Sequence, residues 1–446
     1  MNYIPHTTEE IKKMLATIGV SSLDDLFSEI DKSFFSKSFN LPQGKSELEL
    51  FEYLKKTAAK NNTSLINLSG GGFYDHYIPA VVDKLASRAE FYTPYTPYQP
   101  ECSQGTLQAI YEYQTLIAEL TKMEVANASV YDGGTALAEG ILMASRITKR
   151  KKIIIDSSLN PLYQKIIKTY LNPDCYQIIT VDFSDYGINR NKILKLLDND
   201  VAAVVFQNPN FFGKFDDYSD IVKAAHKKQI LTILSTYPVA LGLLKSPGSM
   251  DFDIATGEAQ CLGNQVNFGG PLLGFIATRK KYVRQLPGRV VGATEDKEGR
   301  RGFVLTLQAR EQHIRRNKAT SNICTNQNLS AIRALIYLVS LGKDGFRELA
   351  KMNYFKAQFA RKTLSEISGI NIDLNYPIFN EFVIEVNANV DNLYQQTLDK
   401  GFIAGIPLAK FYSKMKNKLL ICITEKITKE DILKFKSILE SIIYNR

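Results

Sequence analysis

The chain has little with which to bind a metal or build a disulfide framework. Five cysteines (Cys102, Cys175, Cys261, Cys324 and Cys422) are scattered singly through 446 residues with no CxxC pair, and there are only four histidines. Neither a zinc site nor a disulfide scaffold is expected, and the thiols read as buried or idle. Long apolar runs are also missing. No stretch reaches the roughly 18 residues that a membrane helix needs, and the opening MNYIPHTTEEIKKML holds no apolar segment of signal-peptide length. A cytoplasmic location, away from membranes, is the expectation. Internal repeats, low-complexity tracts and Gly/Ser linkers are absent too, so the parts of the chain should pack rather than hang on tethers.

With 45% hydrophobic and 23% charged residues there is ample material for a large core. The formal charge of +9 could attract nucleic acid, a membrane surface or an acidic protein. Its distribution disfavours nucleic acid, because Lys149–Lys152 and Arg279–Lys281 flank strand-like runs as solvated element ends, and no zinc-finger or RNP-type pattern accompanies them. Thr7 and Glu10 form a capping box, so a helix should start there and stop near Gly19. Residues 1–65 read as a helical arm. From about residue 125, Val/Ile-rich runs (ANASVYD, KKIIID, YQIITVD, VAAVVFQ, QILTIL, FDIA, LLGFIAT) alternate with helix-period stretches at 135–147, 161–171, 190–198 and 217–228. That alternation predicts a doubly wound α/β domain over 66–328, its parallel sheet covered on both faces. A long helical stretch, the strands EFVIEV and LLICIT, and a last helix capped by Thr428 and Asp431 make 329–446 a small α+β domain.

Asp132-Gly133-Gly134-Thr135 follows a strand and opens a helix, a turn whose free N–H groups can cradle a phosphate, although glycines there commonly serve only chain reversal. Gly70-Gly71-Gly72 lacks the strand and helix that a dinucleotide fingerprint requires. A large α/β domain, a Gly-Thr turn at a helix start and a small carboxy-terminal domain suggest the aspartate-aminotransferase-like architecture of enzymes that use pyridoxal 5'-phosphate (PLP). That chemistry needs a Schiff-base lysine between FDIA and LLGFIAT. No lysine occurs from Ser246 through Thr278, and Lys245 and Lys280, on either side, read as solvated side chains.

Tyr92, Tyr95 and Tyr98 recur every third residue, as do Pro94, Pro97 and Pro100. The prolines fix φ and push their neighbours toward extended backbone, predicting a polyproline-like ribbon with the tyrosines along one face. Composition alone favours rings packed against the chain's own core.

Several motifs resemble the P-protein family of the glycine cleavage system, in particular its subunit-1 branch. They are YDHYIP at Tyr74–Pro79, FYTPYTPYQPECSQGTLQ at Phe91–Gln108, NASVYDGGTALAE at Asn127–Glu139, QNPNFFG at Gln207–Gly213, LGLLKSPG, GEAQCLGNQVNFGGPLLGF, QLPGRVVG, TLQAREQHIRRNKATSNICTNQ at Thr306–Gln327 and Thr424-Glu425. They run in order through most of the chain. Three places depart from the family pattern: Asn160-Pro161 for His-Pro, Tyr237-Pro238 for Asp-Pro, and Gly133-Gly134 for Gly-Ala. The family's aspartate pairs with the pyridinium nitrogen, so Tyr237 fits a subunit that has lost its own cofactor.

The resemblance implies that no residue of this chain is catalytic through a Schiff base, and that PLP is bound by a homologous subunit 2, typically with two copies of each chain. In the implied reaction glycine is decarboxylated and its aminomethyl group passes to the lipoyl arm of H-protein. Tyr92, Tyr95, Tyr98, Glu101 and Asn322 become substrate-channel or interface candidates. Gly133, Gly134 and Thr135 become a vestigial phosphate cradle. The rival readings are a self-contained PLP aminotransferase or decarboxylase with an atypically placed lysine, and a scaffold without catalysis.

Overall fold

The structure, a computed structural model, describes residues 5–36, 38, 40–267 and 270–444. Its chain forms two compact units, 1–63 and 64–446. In the first, helix Thr8–Ile18 starts on the capping box of Thr7 and Glu10 and ends at Gly19 in the left-handed conformation. A second capping box, Ser46 with Glu49, starts helix Glu47–Ala58.

The second unit is built on a seven-stranded sheet. From edge to edge its strands are Val125–Ala126, Gly274–Thr278, Ile254–Glu258, Leu231–Thr236, Val201–Asn208, Lys152–Asp156 and Gln177–Val181. Strand periodicity of two sends Ile154, Val204 and Phe206 into one hydrophobic cluster and Ile153, Ile155 and Val205 into another, so both faces are covered. All eight residues of Val201–Asn208 are buried, as the near-continuous apolar run demands. The expected all-parallel order holds except at Gly274–Thr278, which runs antiparallel to both neighbours. A parallel neighbour needs a helical crossover, and among the described residues 259–273 there is none.

Sequence patterning gave no warning of the antiparallel hairpin Val290–Glu295/Arg301–Thr306, which folds over helix Pro100–Thr121. Two glutamines fasten it there by acting like strand partners. Gln114 donates to Val291 O and accepts from Val291 N, both at 2.9 Å, and Gln104 does the same with Phe303 at 2.9 and 2.8 Å.

Helix Asn328–Ser365 joins two cores, with Ala331–Ala350 packed on the large sheet and Ala357–Leu364 under the carboxy-terminal one. It bends at Gly342, whose φ of 62° favours glycine. The carboxy-terminal sheet is four-stranded and antiparallel, in the order Ile370–Asn371, Glu381–Val386, Lys418–Cys422, Ile406–Pro407. Helices Val390–Asp399 and Lys429–Tyr444 pack in the same core, the latter started by Thr428 and Asp431. Among the described residues no helix is long and apolar enough to cross a membrane, and no cluster of His, Cys, Asp or Glu could hold a metal. Cys261 and Cys422 are buried, whereas Cys102, Cys175 and Cys324 are exposed.

Candidate functional site

The glycine turn singled out from the sequence does open a helix, Gly133–Thr148, with Asp132 as its N-cap: Thr135 N–H and Oγ donate to the two Asp132 oxygens at 2.8 and 2.7 Å. The acidic group that faces this turn belongs to the protein. Glu258, at the end of its strand, accepts from Gly133 N–H (2.9 Å), Gln260 N–H (2.9 Å) and Leu273 N–H (2.8 Å). Burial pushes its carboxyl up to about 7, against the pull of those three donors. A side chain at Gly133 would collide with Glu258 itself, which explains a glycine at that position. Glu258 is the sole charged residue in 256–271, the segment where a lysine was sought. A lone charge in an otherwise neutral segment is the sequence signal of this role.

Gln260 links this turn to a buried polar lattice, its Oε1 accepting from Tyr74 N–H at 3.2 Å. Asn160 donates through Nδ2 to Gly71 O (2.8 Å). Tyr237 packs on Tyr74 with ring centroids 4.0 Å apart and planes tilted by 33°, and hydrogen-bonds His76. The other nitrogen of His76 lies 2.7 Å from Glu425, which also accepts from Tyr77 N–H (2.6 Å) and Asn353 Nδ2 (3.0 Å). Burial alone would raise Glu425, but the His76 hydrogen bond and charge together with the backbone donors, Tyr77 N–H among them, outweigh it and hold the carboxyl down at about 2. Glu381 accepts from Gly71 N–H (2.6 Å) and the Tyr74 hydroxyl (2.7 Å), so the Gly70–Gly72 turn serves a close approach of backbone to carboxylate.

Glu381 carries a testable pH dependence. Burial raises its carboxyl from 4.5 to about 7, more than its two donors lower it. The folded state therefore holds the proton more tightly than the unfolded chain. The resulting stability is fully present below the unfolded value of 4.5 and is lost as pH rises through about 7. Relative to a Glu381→Gln variant, which cannot titrate, the parent chain should lose on the order of 3 kcal/mol between about pH 5 and about pH 8. Urea unfolding of both chains at the two pH values checks this, and a pH-independent difference would refute it.

The second cluster joins the two motif-rich segments. Tyr95 is 78% exposed, Tyr92 58% and Tyr98 46%, so these rings do not pack into the chain's own core, as composition favoured. The expected ribbon is shorter than its prolines suggested. Tyr92 ends a helix, Ala89–Tyr92, and Pro100 and Glu101 lie in the first turn of Pro100–Thr121, because proline is at home there. Only 93–99 is free of helix. Arg289, 4% exposed, holds this segment: it donates to the Tyr98 hydroxyl (2.6 Å) and Thr96 Oγ (3.4 Å), with its guanidinium 5.1 Å from the Tyr98 ring centroid.

Behind Arg289 lies the 306–327 segment. Arg289 Nε is 3.8 Å from Glu311, which is itself buried and 3.6 Å from the His313 imidazole, and the rings of His313 and Tyr98 meet edge to face. Arg310 donates to Gly288 O (2.8 Å), and burial lowers its guanidinium to about 10. Ser321 bonds Glu139, leaving the neighbouring Asn322 exposed. Tyr98 is thus brought to the 306–327 segment. No hydrogen bond links Gly133, Gly134 or Thr135 to Tyr92, Tyr95 or Tyr98 among the described residues. Arg289, Glu311 and His313 were not identified from the sequence, because each lay inside a quoted motif with nothing to separate it from its neighbours.

The family described as "Glycine cleavage system P-protein" matches residues 1–439. The chain belongs to the P-protein family. A protein of Geotalea daltonii, "Probable glycine dehydrogenase (decarboxylating) subunit 1", is 52% identical over 99% of this chain and 100% of its own length. A crystal structure of "glycine decarboxylase (P-protein) of the glycine cleavage system, in inhibitor-bound form" superposes with a TM-score of 0.92 at 42% identity, covering 99% of this chain and 100% of that one. A glutamate decarboxylase of Lactobacillus brevis, at 14% identity and a TM-score of 0.67, shares the fold alone. The fold is that of the PLP-dependent aspartate-aminotransferase-like group. In this P-protein chain the residues at the cradle do not fit the cofactor. Its phosphate would meet the carboxylates of Glu258 and Asp132, and 246–278 offers no amine.

Proposed function

We propose that this chain is the cofactor-free subunit 1 of a two-chain glycine dehydrogenase (decarboxylating), working only with a homologous, lysine-bearing subunit 2. The observation that carries the reading is the carboxylate-filled cradle in a chain that follows the P-protein fold from end to end. Glycine loses CO2 in the assembled enzyme, and its aminomethyl group passes to lipoylated H-protein, with oxidised lipoamide as electron acceptor. PLP held by the partner supplies the electron sink. The exposed tyrosines support a place for 91–101 at the partner's site, with Tyr95 the foremost contact and Tyr92, Tyr98, Glu101 and Asn322 beside it. An apolar interface is supported by helix Glu47–Ala58, which leaves Leu48 73% and Phe51 64% exposed and buries none of its residues.

Co-purification with subunit 2, followed by glycine-dependent CO2 exchange, tests this reading. Neither chain alone should catalyse the exchange, and the mixture should. Tyr95→Phe in the mixture keeps the ring and removes the hydroxyl. It should lower the rate about tenfold, the scale of one lost transition-state hydrogen bond, with assembly unchanged. Exchange by this chain alone overturns the proposal. Full rates from Tyr92→Phe, Tyr95→Phe and Tyr98→Phe would confine the segment to a structural role.

A further inference from the structure

We infer that Glu258 is this chain's built-in substitute for a phosphate, and that its side chain is what denies the helix Gly133–Thr148 an anionic ligand. The inference rests on the reading of the chain as the subunit without a cofactor. A helix amino terminus presents unpaired N–H groups and a positive dipole end, and an anion placed there satisfies both. Here three backbone N–H groups from separate segments, Gly133, Gln260 and Leu273, converge at 2.8–2.9 Å on one side chain. Only Gly133 belongs to the helix; Gln260 and Leu273 add two donors from outside it, and the three together would suit the several acceptor oxygens of a phosphate.

Glu258 is 6% exposed, and its walls fit closely: a Cβ at Gly133 would lie 2.9 Å from both the Glu258 Cβ and the Glu258 backbone nitrogen. Cutting the side chain back to Cβ removes the carboxyl and leaves the three donors in place, facing the space it occupied. Asp132 stays engaged with Thr135 N–H and Oγ, so removal of the Glu258 side chain alone should open the turn to phosphate.

The test is thermal unfolding of the full-length wild-type, Glu258→Ala and Glu258→Ser chains, with and without inorganic phosphate at matched ionic strength, repeated with PLP to separate a free phosphate from a cofactor's phosphate. Serine keeps a small acceptor for Gly133 N–H and guards against misfolding of the alanine chain. The wild-type midpoint should not respond to either compound. Both variants should rise by roughly 3 °C or more, saturating with phosphate, or regain folding in its presence. Variants that do not respond, whether folded or unfolded with and without phosphate, overturn the assignment of Glu258. A wild-type chain that responds like the variants overturns both this inference and the cofactor-free reading on which it rests.

Discussion

Replacing Arg289 by methionine should lower glycine-dependent CO2 exchange of the assembled enzyme by about a hundredfold, the scale of a displacement of about 1 Å in a positioning element. The guanidinium is buried and does three things at once. It fixes the Tyr98 hydroxyl at 2.6 Å, reaches Thr96 Oγ and offsets the buried charge of Glu311 3.8 Å away. Methionine fills the space but leaves Glu311 with the His313 imidazole and no guanidinium beside it, and the tyrosine segment untethered, so stability should also fall, on the order of 3 kcal/mol. Lysine restores the charge but lacks the planar fork that spans separate acceptors, so Arg289→Lys should recover stability better than turnover. Rate measurements and urea unfolding on both variants check this. Wild-type turnover from Arg289→Met would show that the two motif segments do not depend on each other.

His76→Ala should destabilise the chain by about 3–5 kcal/mol in urea unfolding, because it breaks one half of a buried pair. Glu425 would keep its bonds from Tyr77 N–H and Asn353 but lose the imidazole that helps hold its carboxyl at about 2, and the Tyr237 hydroxyl would lose its acceptor or donor. His76 and Glu425 come from segments almost 350 residues apart in sequence, |i−j| = 349, so the pair ties YDHYIP to the carboxy-terminal sheet region. A loss below about 1 kcal/mol, the worth of an exposed pair, would refute that role.

The architecture was legible wherever local chemistry decides structure. The capping boxes at Thr7 and Thr428 start the helices they announce, and the Val/Ile runs are strands of one sheet except ANASVYD, which gives it only Ala126 and a bridge at Val130. What was not legible depends on chain reversal and on contacts between distant segments. The antiparallel strand Gly274–Thr278 reads like its parallel neighbours because a buried strand is apolar in either direction. Tyr92 looked like part of a ribbon because proline spacing says nothing of the helix ending before it. Of the candidate site, the tyrosine segment and the missing lysine stood out in the sequence. Arg289 did not, because its partners Thr96, Tyr98 and Glu311 are 193, 191 and 22 residues away. The role of Glu258 required seeing that its strand ends beside the helix that Gly133 begins.

The central claim is that the cofactor belongs to the partner and this chain only completes the site. Borohydride reduction of the assembled two-chain enzyme with PLP, followed by peptide mapping of the pyridoxyl group, tests it most directly. The label should fall on a lysine of subunit 2 and on none in this chain, and this chain treated alone should stay unlabelled. A stoichiometric pyridoxyl-lysine in this chain, whether at Lys245, Lys280 or elsewhere, would contradict the account.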